Sequence, residues 1–419
     1  MLTRPRPEVR PAIALQVLFI LFGITIAAFF PFLALFLSAR GLSPSQIGVV
    51  IAAMAVARII ANPVWGHVAD TTLGRRTTLQ IGALGAAAAA IGLFVADGYL
   101  PIVLLGFVFA AFSTTVGPNI DAIALEHLGD ERMGDYGRIR GWESLSYAVA
   151  CLLIGLTLEA ADPTWTMPIY AVGIFCVAAW TVMLRADRPV HRERHGRLGA
   201  VGAVFREAPA FWQFLLALLL VWIGFNAAWN FIALKIQQAG GGPLLVGVGT
   251  ALGGLVEVPV MRLSSRFGRA WGLRRVFCLG CGIYALGFLL WGLIENPTIV
   301  SLLTVFEGMA FALLFTTTVV VIGRMLPSTL YSTGQSMAVT AGFGIAPILG
   351  AGLGGVVFQR FGVVTLYVGA SCLALAGAAA AWVALSSPEM SRPAPDVDPE
   401  QEMDLGRDMG HVPDVGTVP

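Results

Sequence analysis

The sequence is poor in charged side chains, which make up 12% of its 419 residues, whereas soluble domains contain roughly 25%. Hydrophobic residues make up 57%, and the mean hydropathy is +0.79. A chain with so few charges cannot cover its apolar residues with a soluble surface, so we predict a polytopic membrane protein whose solvent is mostly lipid. The net charge is only +1, and no basic tract is interleaved with aromatic residues. We therefore expect no nucleic-acid partner.

Residues that carry enzymatic or metal chemistry are also scarce. All five histidines fall at or beyond the edges of the apolar segments: His67, His127, His191, His195 and His411. The five cysteines lie inside apolar segments, and Cys278 and Cys281 form a C-x-x-C without a second pair, which argues against a metal site. No nucleophile–base set and no P-loop is present, so ATP is not the expected energy source. We predict a protein that is not an enzyme and has no cofactor.

Twelve apolar segments approach the roughly 20 residues that a membrane-spanning helix needs. They are 12–36, 44–68, 78–96, 100–123, 140–160, 165–185, 211–235, 243–265, 274–294, 298–322, 330–356 and 362–385. We predict an all-α membrane protein with the following divisions: a six-helix half at 1–185, a cytoplasmic linker at 186–210, a second six-helix half at 211–385, and a disordered cytoplasmic tail at 386–419. The acidic, proline-containing tail has too little apolar surface to order itself.

Basic residues are distributed unevenly between the two sides of this arrangement. If the N-terminus is cytoplasmic, all but four of the 26 Lys and Arg residues lie on the cytoplasmic side. The exceptions are Arg40, Lys235 and Arg360 in outer loops and Arg58 inside the second segment. Because basic loops stay in the cytoplasm, we predict a multi-pass protein of the inner cell membrane with both termini inside.

The stretch between the second and third segments reads G-H-V-A-D-T-T-L-G-R-R. Its candidate gate residues are Gly66, Asp70, Gly74, Arg75 and Arg76. We interpret it as a short cytoplasmic hairpin in which Gly66 admits a neighbouring helix. Asp70 would face the positive end of another helix, while the arginines stay among the lipid headgroups. This pattern resembles the loop motif of the major facilitator superfamily, the twelve-helix secondary transporters.

The two halves carry a related turn. Gly41–Gly48 reads G-L-S-P-S-Q-I-G and Gly240–Gly247 reads G-G-G-P-L-L-V-G. Pro44 and Pro243, 199 residues apart, stand where a first helical turn accepts proline. Two six-helix halves in parallel repeat are the facilitator arrangement, which implies a site between the halves near the bilayer midplane.

Three further stretches narrow the resemblance: Asp135–Ser144 (D-Y-G-R-I-R-G-W-E-S), Ala55–Ile59 (A-V-A-R-I) and Leu255–Pro259 (L-V-E-V-P). They resemble the branch that contains the phenylpropionate permease and, more distantly, the nucleoside/proton symporters. The chain departs from that branch at Glu143, where glycine is usual, and at Glu307, near where a histidine can occur. The resemblance implies solute transport coupled to a proton gradient and does not specify the solute.

Charged residues inside the apolar segments are functional candidates, because a charge at the bilayer centre costs about 2.5 kcal/mol or more. Arg58 shares a helix face with Asn62 and would bind a substrate carboxylate through two hydrogen bonds. The alternative is a buried ion pair between Arg58 and a glutamate.

Two glutamates are the candidates for proton coupling. Glu257 follows Gly249 and Gly253 at four-residue spacing, so this face is expected to pack closely against another helix and to exclude water from the carboxyl. Glu307 is the second candidate and is also assigned to substrate contact. We favour Glu257 as the proton carrier because its glycine face is expected to exclude water from the carboxyl more completely than the surroundings of Glu307. For both residues the alternative is a structural contact between helices.

Two further groups complete the candidate residues. Asp121 and Glu143, near the headgroups, are expected to pair with the motif arginines or with Arg138 or Arg140 as gate or fold contacts. Four residues share one side of the seventh segment and suit a ring-bearing or hydroxylated solute, or else packing and interface anchoring. They are Trp222, Asn226, Trp229 and Asn230, of which the first two are the assigned substrate contacts. Tyr147 and Gln335 are weaker candidates.

Together these features predict a monomeric, proton-linked importer of a small organic solute. Arg58 favours an anion such as an aromatic acid, whereas the seventh segment equally favours a nucleoside or a sugar. A proton-driven exporter of drugs or metabolites, with the same fold and the opposite direction, remains the main alternative. A sensor or scaffold that does not transport is disfavoured by the three midplane charges.

Overall fold

The computed structural model describes residues 11–128, 135–184, 198–387 and 390, and these residues form helices with no strand among them. The helices of the first half are α1 (Pro11–Phe29), α2 (Leu33–Ala39), α3 (Pro44–Val68), α4 (Arg75–Val95), α5 (Tyr99–Ser113), α6 (Val116–Leu128), α7 (Asp135–Ala160) and α8 (Thr166–Trp180). They are followed by α9 (Leu198–Glu207), α10 (Phe211–Gln238), α11 (Pro243–Trp271), α12 (Leu273–Leu293), α13 (Pro297–Leu302), α14 (Thr304–Met325), α15 (Ser328–Val339) and α16 (Ala346–Ala384).

Helix length gives the number of membrane crossings. Within the described residues, ten helical stretches are long and apolar enough to cross a membrane, or eleven if the bent pair α1–α2 is included. The longest, Ser328–Ala384, has 57 residues, which is about 85 Å of helix and nearly three times the thickness of the bilayer core. Gly362 interrupts it with φ 86° and ψ 169°, a conformation that glycine tolerates. This stretch therefore crosses twice, which agrees with the predicted twelve crossings.

Three of the predicted segments are broken helices. The segment predicted at 12–36 contains α1 and α2, which meet at an angle of 42°. Pro31 lies between them and has no N–H group with which to continue the helical ladder. The segments predicted at 100–123 and 298–322 likewise consist of α5 with α6 and of α13 with α14.

The stretch predicted to be a hairpin is mostly helical. α3 continues to Val68 and is followed by a π-helical turn at Ala69–Leu73, so Gly74 alone separates it from α4. Gly74 has φ 75°, which glycine adopts without strain. The predicted hairpin was therefore wrong in extent.

The two ends of the bundle are named by this turn. The end that contains it is called the motif end, and the end at which α3 and α11 begin is called the opposite end.

The stretch predicted as a linker also contains a helix. α9 packs against α15 and α10 at the motif end, with Val204 fully buried. The earlier part of that stretch, 186–197, lies outside the described residues. So does the predicted tail at 386–419, apart from residues 386, 387 and 390.

The helices before α9 pack mainly with one another, as do those after it. The largest contacts between the two groups are those of α3 with α16 and of α7 with α11, and α2 makes a smaller contact with α10. Gly48 of α3 lies so close to the carbonyl oxygen of Ala351 that a methyl group on it would clash. Gly247 of α11 has the same relation to Cys151. Gly48 and Gly247 are 199 residues apart, so the contacts between the halves follow the predicted internal repeat.

Candidate substrate and proton site

Small residues bring α11 and α14 into contact near mid-height. A side chain on Gly308 would clash with the backbone carbonyl of Gly253. The hydroxyl of Thr304 donates a 2.7 Å hydrogen bond to the carbonyl oxygen of Gly249. The predicted close packing of the Gly249–Gly253 face is therefore confirmed, and α14 is its partner.

This packing brings two carboxyls together. Glu307 is only 7% exposed, whereas Glu257 is half-buried, and the two lie within electrostatic range of each other. The prediction that Glu257 occupies the drier site was wrong, because an oxygen of Glu307 fills the space over Gly253. Within the described residues, neither carboxyl has a cation at ion-pair distance. Two such carboxyls cannot both be ionised without a large cost in free energy.

Two tyrosines flank the carboxyl pair. Tyr147 of α7 and Tyr284 of α12 each interact electrostatically with both Glu257 and Glu307. Tyr284 is fully buried, and its hydroxyl has no hydrogen-bond partner in the described part of the chain. An unsatisfied buried hydroxyl costs about 1–3 kcal/mol. Tyr147 was a weaker candidate, and Tyr284 was missed because a tyrosine in an apolar segment has the pattern of a packing residue.

Arg58 is the corresponding charge in the first half. Arg58 and Glu257 are each the fifteenth residue of their helices and are 199 residues apart, so the repeat places a cation and an acid at equivalent positions. Arg58 is half-buried, interacts electrostatically with Tyr170 of α8, and makes no ion pair within the described residues. The predicted alternative, an ion pair with a buried glutamate, is therefore not present in this conformation.

Asn62 lies one turn from Arg58 and is exposed. Its amide oxygen accepts a 2.6 Å hydrogen bond from the hydroxyl of Thr114. This bond orients the amide so that its NH₂ group is left to donate. Arg58 and Asn62 thus offer hydrogen-bond donors from one helix face, which is the chemistry that a carboxylate needs.

The predicted substrate contacts on α10 are packed more tightly than an open binding site. Trp222 is 4% exposed, and its ring centroid lies 5.1–5.6 Å from those of Phe225, Phe311 and Phe343. The amide nitrogen of Asn226 donates back to the carbonyl of Trp222 at 2.8 Å. In this conformation the geometry matches the packing alternative, and the binding role of these two residues stays a prediction.

A small cavity lies between the halves, towards the opposite end. Phe30 and Ile51 line it from the first half, and Trp229, Asn230 and Thr250 line it from the second. Its volume of about 20 Å³ is close to what one water molecule requires. Trp229 and Asn230, for which the sequence left binding and anchoring open, therefore border a space between the halves.

The motif end holds the predicted ion pair of Asp121. Its carboxylate accepts hydrogen bonds from Arg140 at 3.0 Å and from the hydroxyl of Tyr136 at 2.9 Å. Glu143 is within electrostatic range of Arg140, while Arg138 makes no ion pair among the described residues. Asp121 and Arg140 thus connect α6 to α7.

The motif arginines bind other parts of the first half. Arg75 lies 3.1 Å from Glu126 and 3.9 Å from Asp70. Arg76 donates a 2.8 Å hydrogen bond to the carbonyl of Leu184, beyond the end of α8. The predicted contact of Asp70 with the positive end of another helix is not present among the described residues, because Asp70 faces Arg75 of its own motif.

Replacement of Asp70 by asparagine is expected to slow transport while leaving substrate affinity within a few-fold of wild type. The 3.9 Å pair with Arg75 is partly exposed and contributes about 0–1 kcal/mol, so the protein should fold normally. Initial rates in proteoliposomes and equilibrium binding to purified protein separate the two effects. A large loss of affinity in a normally folded variant would contradict this assignment.

Comparison with known sequences identifies the family. The sequence model of the MFS_1 like family matches residues 13–368. The chain belongs to this family of the major facilitator superfamily. An uncharacterized transporter, YwbF, of Bacillus subtilis (strain 168) is 24% identical over 351 residues, covering 83% of this chain and 86% of the relative.

Two other relatives have names that include a solute. The maltose permease of Geobacillus stearothermophilus is 26% identical over 363 residues, with 84% of this chain and 88% of that protein covered. The probable 3-phenylpropionic acid transporter of Escherichia coli (strain K12) is 25% identical over 285 residues, with 67% and 73% covered. The chain is thus a multi-pass transporter of small solutes.

Solved structures confirm the fold. The crystal structure of the nucleoside transporter NupG superposes with a TM-score of 0.80 at 15% identity, covering 90% of this chain and all of that chain. A crystal structure of the peptide transporter POT gives a TM-score of 0.72 at 12% identity, covering 91% and 95%. At these identities the similarity establishes the major facilitator fold and carries no statement about the solute.

Proposed function

We propose that the protein is a proton-coupled importer of a small organic solute in the inner cell membrane. The observation that carries the proposal is the Glu257–Glu307 pair in the second half, in which Glu307 is buried and Glu257 half-buried, with no cation at ion-pair distance in the described part of the chain. Intramembrane carboxyls are costly and commonly serve as proton relays. The pair suits proton uptake because protonation of one carboxyl relieves the repulsion between them.

The coupling we propose depends on the equivalent positions of Arg58 and Glu257. Transporters of this fold expose a central site alternately to each side as their halves rock. Rocking that brings Arg58 towards the carboxyl pair favours the ionised form and releases the proton, and separation favours uptake. A change of a few units in the pKa of the carboxyl between the two conformations is enough to bind and release one proton per cycle, since each unit corresponds to about 1.4 kcal/mol.

For the solute we favour a small carboxylic acid, because Arg58 and Asn62 present donors and Arg58 makes no ion pair with a carboxylate of the described residues. Names among the relatives, a maltose permease and a probable 3-phenylpropionic acid transporter, support a small organic solute. A hydroxylated solute is the second candidate, since the carboxyls and tyrosines near α14 can accept and donate hydrogen bonds to hydroxyl groups.

Uptake into proteoliposomes tests the proposal. The panel should contain an aromatic acid, a nucleoside and a disaccharide, each offered with and without an imposed proton gradient. We expect accumulation of the acid only with the gradient. Gradient-independent equilibration would contradict proton coupling, and export from right-side-out vesicles would favour the antiporter alternative.

The orientation is a separate prediction that follows from the distribution of basic residues. We expect the motif end, α9 and both termini in the cytoplasm, because Lys and Arg concentrate there. Reporter fusions after residue 198 and at the C-terminus should be active only with a cytoplasmic reporter. Activity of a periplasmic reporter at either point would contradict this orientation.

A further inference from the structure

Two hydrogen bonds cross between the halves at the opposite end of the bundle. Glu159, near the end of α7, accepts a 3.0 Å hydrogen bond from the backbone N–H of Leu244 in the first turn of α11. Gln359 of α16 accepts a 3.1 Å hydrogen bond from the backbone N–H of Ser45 in the first turn of α3. In each case a side chain of one half caps a helix of the other, and we call the two bonds the crossed caps.

The crossed caps are related by the internal repeat. Glu159 and Gln359 are 200 residues apart, and each lies one helical turn beyond a glycine. Those glycines are Gly155, where an added Cβ would lie 2.9 Å from the carbonyl oxygen of Pro243, and Gly355, where it would clash with the first residues of α3. The same contact therefore occurs twice, and the close helix approach brings each capping side chain to its partner.

The two caps differ in how much their helix depends on them. α3 has a local capping box: Ser43 accepts from the N–H of Gln46, and Gln46 accepts from the N–H of Ser43. α11 begins after Gly242, which has no side chain with which to cap it. Because the first N–H groups of a helix have no partner within the helix, α11 relies on Glu159 of the other half.

Charge and space strengthen the dependence on Glu159. A helix N-terminus is electropositive, so a carboxylate binds there more strongly than an amide. A side chain at position 242 would collide with the Glu159 carboxylate, so Gly242 leaves the room that Glu159 occupies. The Glu159 cap therefore contributes more to the contact between the halves than the Gln359 cap.

We propose that Glu159 is the main positioning residue that holds the opposite end closed, with Gln359 as its weaker counterpart, and that both caps break each time this end opens for solute. The inference rests on alternating opening of the two ends. It is independent of the solute, the coupling ion and the direction of transport.

Distance measurement across the opposite end tests this proposal without solute or proton gradient. Asp97 and Glu295 are exposed loop residues at that end, one in each half, and can be changed to cysteine for spin labels. The five native cysteines are replaced first. In the full-length protein, Glu159→Ala is expected to raise the population with the longer label separation about fivefold, in line with the loss of a charged cap.

Three matched variants distinguish closure between halves from stability of α11. Glu159→Gln retains an acceptor and should change the distances less. Gln359→Ala should also have a smaller effect, because the capping box of α3 remains. Glu159→Ala with Gly242→Ser gives α11 a local cap, so its thermal stability should recover while the opposite end stays open.

Two results would overturn the proposal. One is an unchanged distance distribution in Glu159→Ala, and the other is a return to the wild-type distribution when Gly242→Ser is added. The second result would make Glu159 a structural cap only. If Glu159→Ala does not fold, the distance distributions of Glu159→Ala/Gly242→Ser and of Gln359→Ala are compared with wild type instead. Wild-type distributions in both would overturn the proposal. The label distances do not depend on proton coupling, so a transport assay that contradicts proton coupling would not change the expected result.

Discussion

Replacement of both Glu257 and Glu307 by glutamine is expected to abolish proton-driven accumulation of solute while preserving exchange of labelled for unlabelled solute. Glutamine has nearly the shape of glutamic acid but carries no titratable proton. Net accumulation needs proton release in each cycle, whereas exchange returns the loaded transporter without net proton movement. The double variant should therefore lose coupling and keep solute binding.

The two single replacements are expected to differ in size. Glu307 is 7% exposed and packs over Gly253, while Glu257 is half-buried. The free-energy cost of an ionised carboxyl increases with burial. We therefore expect protonation of Glu307 to contribute more to coupling than protonation of Glu257. We expect Glu307→Gln to reduce gradient-driven accumulation by at least about tenfold, which corresponds to 1.4 kcal/mol, and Glu257→Gln to reduce it less.

Accumulation and exchange should be measured on the same proteoliposomes. Glu295→Gln is the matched control, because it makes the same chemical change at an exposed loop position and should leave both activities intact. Wild-type accumulation in the double variant would rule out this pair as the proton carrier. Equal loss of exchange and accumulation would instead make the carboxyls substrate ligands.

The candidate site was only partly predictable from the sequence. The four-residue spacing of Gly249, Gly253 and Glu257 predicts a tightly packed face correctly, since helical periodicity is a local property. It does not reveal that the neighbouring helix fills that space with Glu307, which depends on tertiary packing. Tyr284 could not be identified either, because the absence of a hydrogen-bond partner is visible only in three dimensions.

The fold was more predictable, because bilayer thickness limits the length of every crossing. Hydropathy and turn residues give the twelve crossings and the repeat. The exceptions are local: the turn before Gly74 continues as a π-helix, and the first crossing breaks between α1 and α2, where Pro31 has no N–H group to donate. The equivalence of Arg58 and Glu257 was available from the 199-residue offset, and the helix bounds support it because each is the fifteenth residue of its helix.

The second large effect is expected at Arg58, the cation at the position equivalent to Glu257. Arg58→Lys is expected to weaken binding of a carboxylate solute by at least about tenfold, because a point charge replaces the planar fork that binds both carboxylate oxygens. Lysine keeps the charge and most of the apolar stem, so folding should be preserved better than with alanine. Binding is measured by calorimetry on purified protein, independently of the proton gradient.

A neutral ester of the same acid provides the matched control on the ligand side. It should bind wild type poorly, and Arg58→Lys should change its affinity little, since the fork has no carboxylate to hold. The two proteins and two ligands form a cycle whose coupling energy isolates the contact between guanidinium and carboxylate. Zero coupling, with acid and ester bound alike by wild type, would mean that Arg58 is structural and that the solute is neutral. A large coupling, together with loss of accumulation in the glutamine variants, would place the anion site on α3 and the proton site on α11 and α14, with Arg58 and Glu257 at positions that the repeat makes equivalent.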